Sequence, residues 1–202
     1  HSFPTRRLLE KLGPLEGAWR GPADKACRSA DKKLVPAAAG RIEHLLVTVP
    51  RYDDPAGEYV VDPWLQDLLF GVIGHLGASV RHTIVCQLEQ EEVIRGWLEQ
   101  LSIPEAQFDI VLSKYDYTIW AQDAYVALVV DDGQTTLCEG VLFLRNADMV
   151  IADDVAAQTD VGLLHSILEF QGGNILGGPG GHLVGRDYVE WNVGRRGLET
   201  PE

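Results

Sequence analysis

The chain has 202 residues, 46% of them hydrophobic and 23% charged, the composition of a folded globular domain. Its 30 acidic and 17 basic residues leave a formal net charge of −13. That excludes a general nucleic-acid binder, which needs a basic face to displace phosphate counterions. The charge is uneven: residues 1–51 hold 10 Lys+Arg against 5 Asp+Glu, and residues 52–202 hold 7 against 25. An acidic body of this kind suits a cationic partner.

Residues 1–40 are rich in Gly, Pro, Ala and charge and read as an N-terminal tail or linker. The first strand is expected within Arg41–Val49, where Leu45, Leu46, Val47 and Val49 end at Pro50. A helix then starts at Asp62-Pro63, with Asp62 as N-cap and Pro63 in the first turn. Its apolar residues Trp64, Leu65, Leu68, Leu69, Val72, Ile73 and Leu76 recur at helical spacing, and Gly77 ends it. A strand over His82–Leu88, a helix over Gln90–Leu101 and a strand over Phe108–Leu112 follow. This β-α-β-α-β order lacks the GxGxxG turn that a dinucleotide-binding fold needs for its pyrophosphate.

The second half reads differently. Tyr117–Val130 is expected as one long strand, joined through Asp131-Asp132-Gly133 to a strand over Thr136–Arg145 as a hairpin. Asp153–Leu168 reads as helical or mixed, and Phe170–Leu176 and His182–Tyr188 as two short strands around a glycine-rich turn. Strand–helix units thus recur along the chain.

Cys27, Cys86 and Cys138 show neither a CxxC nor a Cys/His metal spacing, so no metal site is expected. Cys86 and Cys138 lie in apolar runs and read as buried thiols. No apolar run is long enough to span a bilayer, so no membrane partner is expected. The chain opens His1-Ser2-Phe3 without Met and shows no signal peptide, which leaves cytoplasmic and secreted locations both open.

Two segments carry possible chemistry. Asp123 stands among Tyr117, Ile119, Trp120, Tyr125, Val126 and Leu128, where a carboxylate is costly unless it is paired. Read from the residues alone, it is an Asp at a strand end that caps a turn. Strand alternation puts Trp120 and Asp123 on opposite faces, so a turn or bulge is needed to bring them together. The second segment, Phe170 to His182, is rich in glycine, which permits close backbone approach.

Trp120-Ala121-Gln122-Asp123, Gln171-Gly172-Gly173-Asn174-Ile175-Leu176 and Gly185-Arg186-Asp187-Tyr188 together resemble the protein-arginine deiminases of the guanidino-group-modifying superfamily. The resemblance covers residues 41–197. It implies an α/β propeller (pentein) of five strand–helix units, with 41–202 forming an incomplete one. It also implies hydrolytic deimination of a guanidinium, as in peptidyl or free arginine, to citrulline and ammonia. In that family a Cys thiolate attacks the guanidinium carbon, a His moves protons and two carboxylates hold the nitrogens. Asp123 matches the first carboxylate, and Trp120 the aromatic that lines the substrate's aliphatic stem.

The chain departs from the family in several places. No His-x-Asp follows the Gly-Asn motif: His165 precedes it, and His182 is followed by Leu183-Val184. All three cysteines come too early to match the nucleophile. Gln171 stands where other branches carry Glu, and Glu169 is a weak substitute, more readily read as a solvated strand-edge acid. Vertebrate members bind calcium through an acidic residue three places after the Asp. That place is Val126 here, which argues against calcium activation, although the acidic body could still hold the ion loosely. No other cofactor is expected.

The expectation is therefore a fragment of a longer deiminase, inactive alone for want of the His and Cys. Its partner would be an arginine-containing peptide or a small guanidine, with self-association through an open propeller edge. The alternative is a non-catalytic arginine-binding module of the same fold.

Overall fold

The computed structural model describes residues 33–35, 40–129, 133–140, 146–166, 168–178 and 181–196. They divide into two compact units, Arg41–Ala121 with Ala157–Thr159, and Gln122–Ala156 with Asp160 onward and the residues up to Gly40. Among the described residues no helix is long and apolar enough to cross a membrane.

The first unit contains β2 (His44–Thr48), α1 (Pro63–Leu76), β3 (Arg81–Cys86), α2 (Glu91–Gln100) and β4 (Phe108–Leu112). The strands are parallel in the order β2-β3-β4, with Leu46 opposite Thr83 and Ile84 opposite Ile110. Parallel neighbours need crossovers, which α1 and α2 supply.

The ends of α1 follow from its sequence. The Asp62 carboxylate accepts from the Trp64 and Leu65 amides at 2.8 and 3.2 Å, which satisfies two of the unpaired N–H groups of the first turn. Gly77 ends the helix at φ +60°. Leu65, Leu69 and Ile73 bury one stripe in a core with Val49, Ile84, Cys86, Ile94, Trp97 and Leu98. Trp64, Leu68 and Val72 form a second stripe that is exposed, so only part of the apolar periodicity of α1 faces this core.

Gln90, fully buried at the start of α2, acts as a clip. Its Nε2 donates to the carbonyls of Pro50 and Val60 at 2.8 and 3.0 Å, and its Oε1 accepts from the Gln87 amide at 3.0 Å. Gln90→Leu keeps the size of the side chain and strands all three backbone groups. At about 1 kcal/mol each, the loss is expected to be about 3 kcal/mol. Urea denaturation checks this, and an unchanged midpoint would show that the loops are held by other contacts.

The second unit contains β1 (Lys33–Leu34), β5 (Tyr125–Val129), β6 (Thr135–Glu139), α3 (Ile151–Gln158), β7 (Gly162–His165), β8 (Ile175–Gly178), β9 (Gly181–Val184) and α4 (Arg186–Arg196). One sheet runs β1-β5-β6-β7 and a two-stranded sheet pairs β8 with β9. β5 and β6 are antiparallel, as the hairpin reading expects, while β6 and β7 are parallel through the crossover helix α3. Asp131 and Asp132 of the hairpin turn lie outside the described residues, and Gly133 has φ +82°. Residues 141–145 of the strand expected to reach Arg145 also lie outside them.

The Asp153–Leu168 segment is mixed, with the short strand β7 following α3 and Gly162 packed on Thr136. Three sequence expectations are corrected here. Tyr117–Val130 is not one strand: Ala121–Ala124 form a 3-10 turn and only Tyr125–Val129 is extended in a sheet. Phe170–Leu176 contains a 3-10 turn at Gly172–Asn174 before β8 begins. Of His182–Tyr188, only the part up to Val184 is strand, and Arg186 opens a helix.

Candidate functional site

Asp123 lies in the 3-10 turn that leads directly into β5, and it is half-buried. The long apolar segment thus breaks at this turn. The location also fits the plain reading of an Asp beside a strand end. What adds to it is the glycine turn. A Cβ built at Gly173 would overlap Asp123 Oδ1, and one at Gly172 would overlap the carbonyl oxygens of Gln122 and Tyr125. Residues 172 and 173 therefore have to be small because the turn is pressed against the backbone and carboxylate of the Asp123 turn.

The third motif joins the same place. Gln171 Oε1 accepts from Tyr188 Oη at 3.0 Å and from Asn174 Nδ2 at 3.2 Å. The Gly185 amide donates to the Asn174 carbonyl at 3.3 Å, and the Tyr188 amide to the Gly185 carbonyl at 3.1 Å. One helical turn on, Asn192 donates to the carbonyls of Glu169 and Tyr188 and accepts from the Glu169 amide. The second and third motifs and the Gln122-Asp123 part of the first are thus held together within one unit.

Trp120 is placed differently. It is 59% exposed, its amide donates to Thr118 Oγ1 at 3.3 Å, and it belongs to the other unit. Gln171 uses its acceptor to tie two motifs together, so it serves as a structural tie. Glu169 is 8% exposed, so the expectation of a solvated edge acid is corrected: the Asn192 hydrogen bonds draw its backbone inward.

A second cluster in this unit was not singled out from the sequence. Glu139 ends β6, His165 ends β7 opposite it in register, and Asp153 lies in the first turn of the helix between them. Glu139 Oε2 is 3.2 Å from His165 Nδ1, and His165 Nε2 is 4.0 Å from Asp153 Oδ1. Burial pushes the Glu139 carboxyl up to about 7, against the opposing pull of the His165 hydrogen bond. The same hydrogen bond raises His165, and burial raises Asp153. The only sequence signal was an acid inside the otherwise apolar stretch Leu137-Cys138-Glu139.

Cys86 and Cys138 are both buried. Burial first, and then the neighbouring Glu91, push the Cys86 thiol up to about 12, so it is not a thiolate near neutral pH. Cys27 lies outside the described residues.

No protein-family model and no curated protein matches the sequence. Solved structures do match in shape. A proposed arginine deiminase from Porphyromonas gingivalis superimposes with a TM-score of 0.58 at 17% identity, covering 83% of this chain and 51% of that one. A proposed agmatine deiminase gives 0.62 at 16% identity, covering 84% and 48%. The agmatine deiminase of Enterococcus faecalis gives 0.56 at 13% identity, covering 78% and 43%. The chain thus has a mixed α/β fold like that of these deiminase structures, and it spans about half their length.

Proposed function

We propose that this chain supplies a guanidinium-binding part of a deiminase-type hydrolase and is the beginning of an α/β propeller. The single observation that carries the reading is the packing of Gly173 on the Asp123 carboxylate, within a unit that also joins the other two motif segments. The deiminase fold of the structural neighbours supports it.

A planar guanidinium presents parallel N–H donors that a carboxylate accepts as a pair. Asp123 would hold those donors. The ligand is a peptidyl arginine or a small guanidine, and the acidic excess of residues 52–202 draws such cations in. Deimination adds water to the guanidinium carbon and expels ammonia, leaving a urea. It needs a nucleophile and a proton carrier. The buried thiol of Cys86 cannot attack, and Gln171 brings no second negative charge. The chain by itself is therefore expected to bind and not to turn over.

Calorimetry with agmatine and with an Nα-acyl arginine amide tests this. Asp123→Asn is expected to weaken binding by about tenfold to a hundredfold, the worth of one charge-assisted hydrogen-bonded pair. Gly173→Ala, which crowds the same carboxylate, is expected to act in the same direction. Equal affinity in the Asp123→Asn chain would remove Asp123 from the site, and citrulline formation by the unmodified chain would overturn the expected inactivity.

A further inference from the structure

Glu139, Asp153 and His165 come from three separate elements, the end of β6, the first turn of α3 and the end of β7. One ligand atom from each lies within 4.8 Å of the other two. The arrangement does not touch the guanidinium reading, which uses other residues.

Glu139 is 5% exposed, and among the described residues its Oε1 has no hydrogen-bond partner. A buried carboxylate oxygen left in that state is costly and rare in folded proteins. The His165 contact occupies only the other oxygen, Oε2. A cation set against Oε1 would satisfy it.

We infer that Glu139, Asp153 and His165 form a site for a transition-type divalent cation, represented by Zn²⁺. One imidazole nitrogen and two carboxylate oxygens make a donor set of borderline character. Calcium and magnesium favour all-oxygen shells, whereas zinc accepts nitrogen and oxygen together. Zinc bonds of about 2.1 Å in a tetrahedron set ligand atoms about 3.4 Å apart. The three donors therefore close by about an ångström, which rotations of Asp153 and His165 can supply, since both are only partly buried. Three protein ligands leave a fourth position for water or another ligand.

The test uses the full chain, stripped with a chelator and titrated with zinc and with cobalt(II) in a calorimeter. The expected result is one ion per chain at micromolar or tighter affinity, with a rise in the thermal midpoint. Glu139→Gln and Asp153→Asn, both close in shape to the parent, are expected to weaken binding at least tenfold. Circular dichroism confirms that each variant is folded. The cobalt spectrum is expected to show nitrogen and oxygen ligation with no thiolate charge-transfer band. Absence of zinc binding overturns the inference. So does binding that both folded variants retain, or a thiolate band, which would place the ion on cysteine.

Discussion

Gly172→Ala is expected to unfold the unit built on β1-β5-β6-β7, with a loss of about 3 kcal/mol or more. The added methyl group would overlap two backbone carbonyl oxygens, those of Gln122 and Tyr125. Neither is the free end of a flexible side chain, so the backbone itself has to move. Overpacking a close-packed site typically costs about 1–3 kcal/mol, and this case lies at or beyond the upper end. The moving parts would be the Ala121–Ala124 turn and the first residue of β5, the segment that carries Asp123. Fold and candidate site are expected to fail together.

The control is Gly96→Ala in α2, where a Cβ meets nothing within 4 Å. There the added methyl only restricts the unfolded chain and favours the helix, so a gain of about 0.5–1 kcal/mol is expected. Urea denaturation of the two variants against the parent gives both numbers. A Gly172→Ala chain as stable as the parent would mean that the glycine turn does not bear on the Asp123 turn.

The half from Arg41 to Leu112 was legible in detail because its signals are local. Asp62-Pro63 and Gly77 mark both ends of α1, and the strand expected at Phe108–Leu112 has those same bounds in the structure. The second half was legible in outline only. Tyr117–Val130 is rich in aromatic and β-branched residues and so reads as one strand, yet a 3-10 turn interrupts it at Ala121–Ala124. Packing decides that break: the Gln122 and Tyr125 carbonyls lie against Gly172, far along the chain. The helix α4 was missed because Arg186–Arg196 mixes polar residues, Gly194 and scattered aromatics without a clean apolar stripe.

The same distinction applies to the sites. Asp123 stood out as a carboxylate in an apolar run and the second segment by its glycines, and the motif resemblance then joined the two. The Glu139–Asp153–His165 cluster carries no motif. It exists because a parallel crossover sets Glu139 opposite His165, and register between distant strands is not written in local periodicity. A buried acid in an apolar strand was the one available hint, and it names no partner.

That cluster makes stability depend on pH in a direction that can be worked out. The Glu139 carboxyl rises from 4.5 to about 7 on folding, so the folded chain holds a proton there that the unfolded chain has lost. Where the folded state binds more protons, stability falls as pH rises. The contribution is fully present below about 4.5 and is gone once the pH has passed through about 7. His165, also raised from its usual value, adds to the decline in the same direction. Glu139→Gln imitates the protonated carboxyl at every pH. In the presence of a chelator, the variant is therefore expected to match the parent near pH 4.5 and to exceed it at pH 8. The full shift corresponds to a gain on the order of 3 kcal/mol. The difference between the two chains, rather than either curve alone, isolates this group from the other carboxylates. Denaturation midpoints at several pH values measure it, and a difference that stays constant with pH would show that Glu139 ionises normally in the folded chain.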